Sequence, residues 1–152
     1  MAIIVDWIKI KQEIYYEDGS LRDIVTENSM PLEKWELLCE YLKDNYNLRI
    51  HCDGIEMRDR FDYALAKNCL FDKEHNYIAS FSICNVHFSL YLPWGGQFLE
   101  FDFFPNEIDG LDKHRAIIEF MTKLANILQI TLKMTGEGCS DAILVEIAPA
   151  TK

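Results

Sequence analysis

Two regions of the chain alternate apolar and polar residues with a period of two. In residues 8–17, Ile8, Ile10, Ile14 and Tyr16 fall on one side and Lys9, Lys11, Glu13 and Glu17 on the other, which predicts a half-buried strand. Asp18-Gly19-Ser20 then reads as a turn, and residues 21–26 as a second strand completing a hairpin. The second region, 77–104, predicts three antiparallel strands near 77–84, 86–92 and 97–104. A tight Cys84-Asn85 turn and a Pro93-Trp94-Gly95-Gly96 turn separate them. Val86, Phe88, Leu90 and Leu92 alternate with His87, Ser89 and Tyr91, and Leu99, Phe101 and Phe103 alternate with Phe98, Glu100, Asp102 and Phe104. A sheet with one face on the core and the other in water gives this pattern.

Between and after these regions the period changes. Leu32, Trp35, Leu38, Cys39 and Leu42 recur at helical spacing, and Asn45-Tyr46-Asn47 marks the stop. Leu48–Cys52 reads as a short strand ending at Asp53-Gly54. Residues 55–75 fit a short helix around Phe61, Tyr63 and Leu65, or a loop with one turn. Ile117, Ile118, Met121, Leu124, Ala125 and Leu128 give a second strong helix over 112–128. Short strands at 130–134 and 142–147 flank Gly136-Glu137-Gly138. Strands and helices do not alternate regularly, so the expected fold is α+β. It is an antiparallel sheet of about five to seven strands on two main helices, in a single domain over residues 1–152.

Composition narrows the function. The net charge is -10, divided as -4 over residues 1–52, -6 over 53–111 and zero over 112–152. That field disfavours nucleic acid and anionic membrane and favours basic partners. The N-terminal apolar run is too short for a signal peptide, and no stretch is long enough to span a bilayer. Five cysteines with no C-x-x-C pair fit reduced thiols in a cytoplasm.

Several groups offer chemistry. Glu100 and Asp102 fall on the wet face with Phe98 and Phe104. They read as an acid/base pair, as a solvated strand, or as an acidic stripe with aromatic anchors for a basic protein. Tyr91 and a tip residue, Trp94, join the anchors. Asp53, Glu56 and Asp59 form a second acidic group, interleaved with Arg58 and Arg60. His87, Ser89 and Asp102 contain the ingredients of a hydrolase, but no G-x-S-x-G elbow accompanies them. His51 and Cys52, as neighbours on a strand, point to opposite faces and do not share a metal. No catalytic residue, metal or cofactor is therefore expected.

The C-terminal half carries a resemblance. Phe98–Phe103 forms an apolar-acidic strand, and Asn106–Gly110 links it to the helix containing His114, Phe120 and Leu124. Ile130–Thr135 then leads into Thr135-Gly136-Glu137. This layout, over residues 78–147, resembles small bacterial immunity proteins that guard against polymorphic or contact-dependent toxins. The resemblance implies a cytoplasmic antitoxin that binds one cognate toxin domain and blocks it. A basic nuclease toxin would suit the acidic charge. A small hydrolase or metal-dependent enzyme using His87, Ser89 and Asp102, and a homodimeric structural or adaptor module, stand as alternatives.

Overall fold

Trp7, Ile10 and Ile14 decide the first element. They recur at spacings of three and four and pack against the core, which Tyr15 just beyond them enters. In the computed structural model, which describes residues 2–58, 60–93, 98–137 and 139–150, the chain therefore begins with a helix, α1 (Ala2–Glu13). The expected strand at 8–17 does not form. Ile8, which alternation placed inside, is 53% exposed. Without that strand there is no N-terminal hairpin, although the second half of it, β1 (Arg22–Thr26), is a strand.

The next segments follow their patterns. Helix α2 (Leu32–Asn45) buries Trp35, Leu38, Cys39 and Leu42, the stripe read from the sequence. Strand β2 (Arg49–Cys52) turns at Asp53-Gly54, where φ is +48° and +86°, into the two-residue strand β3 (Ile55–Glu56). Such angles suit glycine and the aspartate/asparagine class. Helix α3 (Tyr63–Phe71) resolves the ambiguous segment. Asp62 caps it, its carboxylate accepting the Leu65 N–H at 2.8 Å.

Strands β4 (Tyr77–Ile83) and β5 (Val86–Leu92) form a hairpin over Cys84 and Asn85. Both turn residues have positive φ, +51° and +64°, which matches the strand twist. Strand β6 (Glu100–Phe103) leads through a 3-10 turn at Pro105–Glu107 into α4 (Leu111–Leu128). Strands β7 (Leu132–Gly136) and β8 (Cys139–Ile147) finish the chain.

All strands join one antiparallel sheet of eight, in the order β3-β2-β4-β5-β6-β1-β7-β8. The fold is α+β as expected, but the described residues hold eight strands rather than five to seven, and four helices rather than two. The extra strand count comes from the Ile55–Glu56 pairing, too short to leave a periodic signal. Strand β1 lies between β6 and β7, with Ile24 opposite Phe101 on one side and Met134 on the other.

Inward-facing strand residues and the buried stripes of the helices form one hydrophobic cluster. Phe120 of α4 sits at its centre, with ring centroids of Tyr46, Phe81, Phe88 and Phe101 at 5.5–6.0 Å. Aromatic rings at such separations attract beyond their area burial.

One inward position is charged. Arg22, at the start of β1, is 0% exposed. Its guanidinium donates to the carbonyls of Ile14 (2.8 Å), Tyr16 (2.6 Å) and Leu21 (3.2 Å) and to Ser20 Oγ (3.1 Å). It also lies 4.3 Å from the centre of the Tyr16 ring. The planar fork satisfies the turn that joins α1 to the sheet. No helix of the described residues is long and apolar enough to cross a membrane.

Candidate functional site

Strand alternation puts polar residues on the face opposite the hydrophobic cluster. Across the middle of that face, the pairing register lines up Ser80, Ser89, Asp102, Asp23, Thr135 and Ile143 on six successive strands. Beside this row, Val25 stands between Glu100 and Lys133. Glu100, Asp102 and Asp23 thus gather at the β6–β1 junction. Asp23 and Asp102 are direct cross-strand partners, a placement in which like charges destabilise a sheet. They are also only 8% and 9% exposed.

Local contacts hold the arrangement. The Tyr91 hydroxyl donates to Asp102 Oδ2 at 2.6 Å. Lys133 pairs with Glu27 at the margin. Glu137 latches the strand before it begins: its carboxylate accepts the Leu21 N–H at 2.9 Å, and its own N–H donates to the Leu21 carbonyl at 3.1 Å. Burial raises the Glu100 pKa, and the charges of Asp23 and Asp102 add to the rise. Burial also raises Asp102; the Tyr91 hydrogen bond opposes this and Glu137 reinforces it. Tyr91 is itself pushed up, first by burial and then by its bond to Asp102. Crowded carboxylates of this kind favour a cation brought to them.

Next to the carboxylates lies a groove of about 700 Å³, lined by Val25, Pro93, Phe98, Glu100, Lys133 and Ile143 among others. Its walls are apolar at Val25, Pro93, Phe98, Leu99 and Ile143 and charged at Glu27, Glu100 and Lys133.

The expected site residues do not all converge. Tyr91, Glu100 and Asp102 come together. Phe98 and Phe104 are 50% and 56% exposed. They stand at opposite ends of β6, about 20 Å apart at the rise of an extended chain. Phe98 borders the groove, whereas Phe104 lines a separate depression with Glu17, Gly19 and Ser20. Asp53 and Glu56 are at the far edge of the sheet, four strand steps from β6, hence roughly 19 Å away. There Glu56 pairs with Arg49 at 3.5 Å and Asp53 with His75 at 2.8 Å. Trp94 and Asp59 lie outside the described residues.

The hydrolase trio is not assembled as a relay. Ser89 does stand opposite Asp102. His87, however, is drawn the other way, its Nδ1 lying 2.7 Å from Glu107 Oε2 and its backbone N–H donating to Oε1 at 3.2 Å. The Asp102 carboxylate is held by Tyr91. A relay needs the imidazole between the hydroxyl and the acid.

No family model matches the chain, and no curated protein matches it. Among solved structures, it superposes with a TM-score of 0.56 on a chain of the crystal structure of the toxic C-terminal tip of CdiA from Pseudomonas aeruginosa in complex with immune protein. The superposition covers 87% of this chain and 97% of that one, at 14% identity. The two share a fold. At that identity the likeness speaks to architecture and leaves the surface chemistry to be read from this chain.

Three residues of the acidic face escaped sequence reasoning: Asp23, Lys133 and Glu137 in its latching role. Asp23 alternates with Arg22 and Ile24 as an outward strand position should, so a signal existed. Its neighbours did not, because they come from residues 100–136.

Proposed function

We propose that this chain is an immunity protein that binds a cognate toxin domain and blocks it through the acidic, open face of its sheet. The observation that carries this reading is the fold shared with a chain of a toxin–immune protein complex. The carboxylate cluster supports a location for the contact. A toxin must perform chemistry, whereas an immune protein needs a complementary surface. His87 held by Glu107 and Asp102 held by Tyr91 suit a surface rather than a hydrolytic relay. In this reading Glu100, the most accessible of the three carboxylates, receives a lysine or arginine of the partner, the buried Asp102 and Asp23 add to the negative field behind it, and Phe98 and Tyr91 supply apolar contact beside it. Phe104 extends the contact along β6, and Trp94 is a further anchor proposed from the sequence. Asp53 and Glu56 steer the approach from the far edge of the sheet, with Asp59 a further steering charge proposed from the sequence, inside the cell that makes the protein.

The test begins with affinity purification of the tagged protein from its native lysate, with partners identified by mass spectrometry. The purified toxin domain is then mixed with wild type and with the Glu100→Lys/Asp102→Lys variant in stopped flow. Two reversals change four units of charge. One partner cation at about 7 Å in screened water then contributes roughly 1 kcal/mol, so association slows about fivefold. The difference shrinks as salt rises. An unchanged rate with unchanged salt dependence removes the acidic face from the contact. Recovery of no toxin domain, or only of further copies of this chain, withdraws the immunity reading itself.

A further inference from the structure

At the far edge of the sheet, away from the acidic face, a different set of side chains meets. Strand β2 ends at Cys52, and the chain reverses through Asp53 in a left-handed conformation with φ +48°. The loop between α3 and β4 brings His75 and Asn76 against that turn. The Asp53 N–H donates to the Asn76 carbonyl at 2.8 Å, and the Asn76 N–H donates to Asp53 Oδ1 at 2.8 Å. The other carboxylate oxygen, Oδ2, faces His75 Nδ1 at 2.8 Å. Cys52 completes the group: its Sγ, a carboxylate oxygen of Asp53 and a ring nitrogen of His75 all lie within 4.8 Å of one another.

Adjacent residues on a straight strand point to opposite faces, which is why the sequence offered no metal at His51-Cys52-Asp53. The rule holds for His51 and Cys52. It lapses one residue later, because Asp53 is already in the turn and its carboxylate swings back beside Cys52.

We propose that Cys52, Asp53 and His75 form a binding site for Zn²⁺, with water as the fourth ligand. Thiolate, imidazole and carboxylate are all ligand types that zinc accepts. In a tetrahedral zinc site, ligand nitrogen and oxygen stand about 3.4 Å apart, and sulfur stands about 3.6 Å from either, given the usual bond lengths. Here His75 Nδ1 and Asp53 Oδ2 stand 2.8 Å apart and have to open to admit the ion, and Cys52 Sγ lies within 4.8 Å of both. The Asn76 N–H supplies the supporting contact such sites need: it fixes Oδ1 and leaves Oδ2 turned toward the imidazole. Asp53 and His75 are exposed and Cys52 is half-buried, so an ion and its water have a path in. Bound metal ties the β2–β3 turn to the α3–β4 loop. It therefore stabilises the folded chain by mass action.

The experiment uses the full-length, reduced, chelator-treated protein and Co²⁺ as the spectroscopic probe. Wild type is expected to bind one equivalent with a thiolate-to-cobalt charge-transfer band and tetrahedral visible bands, both erased by one equivalent of Zn²⁺. Cys52→Ser is expected to lose the charge-transfer band, and Cys84→Ser, which removes an exposed thiol elsewhere, to keep it. His75→Ala is expected to weaken Co²⁺ affinity tenfold or more. Thermal melts without metal establish that each variant is folded, and Zn²⁺ is expected to raise the melting temperature of wild type but not of His75→Ala. No charge-transfer band in wild type, or one that survives in Cys52→Ser, overturns the assignment.

Discussion

Replacing Arg22 with alanine removes one side chain and strands four acceptors. The carbonyls of Ile14, Tyr16 and Leu21 and the Ser20 hydroxyl all lose a donor 2.6–3.2 Å away, at a position with 0% exposure. Water entering the vacated space restores part of this. About 1 kcal/mol for each of the three carbonyls is then a conservative loss, roughly 3 kcal/mol together. The guanidinium over the Tyr16 ring adds about 1 kcal/mol. The expected destabilisation is therefore about 4 kcal/mol, a large fraction of the ~5–15 kcal/mol by which domains are stable. For a chain of this size that lowers the melting temperature by roughly 8–16 °C. Equilibrium unfolding in urea measures it directly, as a lower midpoint at constant slope. Arg22→Lys keeps the charge but cannot fork to several carbonyls at once, so it is expected to lose about half as much. A loss below 1 kcal/mol in the alanine variant refutes the argument. It would mean that the turn holds itself and that the guanidinium merely fills space.

Two further outcomes follow from the core and from the acidic face. Phe120→Ala removes the ring around which Phe81, Phe88 and Phe101 pack and is expected to cost about 3–5 kcal/mol in urea unfolding; a loss under 1.5 kcal/mol would mean the cluster closes over the gap. Glu100 and Asp102 have pKa values raised in the folded chain, so the fold binds their protons more readily than the unfolded chain does. The stability this gives is fully present below the ordinary carboxylate value of about 4 and is lost as pH rises through the raised values. Wild type is thus expected to lose stability relative to Glu100→Gln/Asp102→Asn over that window in pH-dependent urea unfolding, and an opposite trend would count against the crowding of the carboxylates.

What the sequence disclosed depended on whether the deciding contact was local. Helix α2 was readable because Trp35, Leu38, Cys39 and Leu42 repeat on one stripe. The β4–β5 hairpin was readable because Cys84-Asn85 sits between two alternating runs. Residues 8–17 misled because Ile10 and Ile14 satisfy both periods, while Ile8 fits only the strand and Trp7 only the helix. Only the docking of Trp7, Ile10 and Ile14 on the core selects the helical one. Of the site, Glu100, Asp102 and Tyr91 were legible from alternation on neighbouring strands. Asp23 and Glu137 were not, since nothing in Arg22–Thr26 says that it will pair with 100–103 and 132–136. Arg22 defied its residue type altogether, for its burial is compensated by the carbonyls of Ile14, Tyr16 and Leu21, the Ser20 hydroxyl and the Asp18 carboxylate, which only the folded turn brings around it.

The central place of β1 sets time against space. Residues 22–26 leave the ribosome before either of their pairing partners, which are made at least 70 residues later, β6 first and then β7. Until then the strand has two open edges, and the sheet can exist only as separate halves. Long-range closure of this kind slows folding. It also leaves a nascent edge able to pair with the wrong chain. The charged pair Arg22-Asp23 stands on that edge through the whole delay. The same carboxylate that crowds Asp102 in the finished sheet therefore discourages premature pairing while the sheet is unfinished.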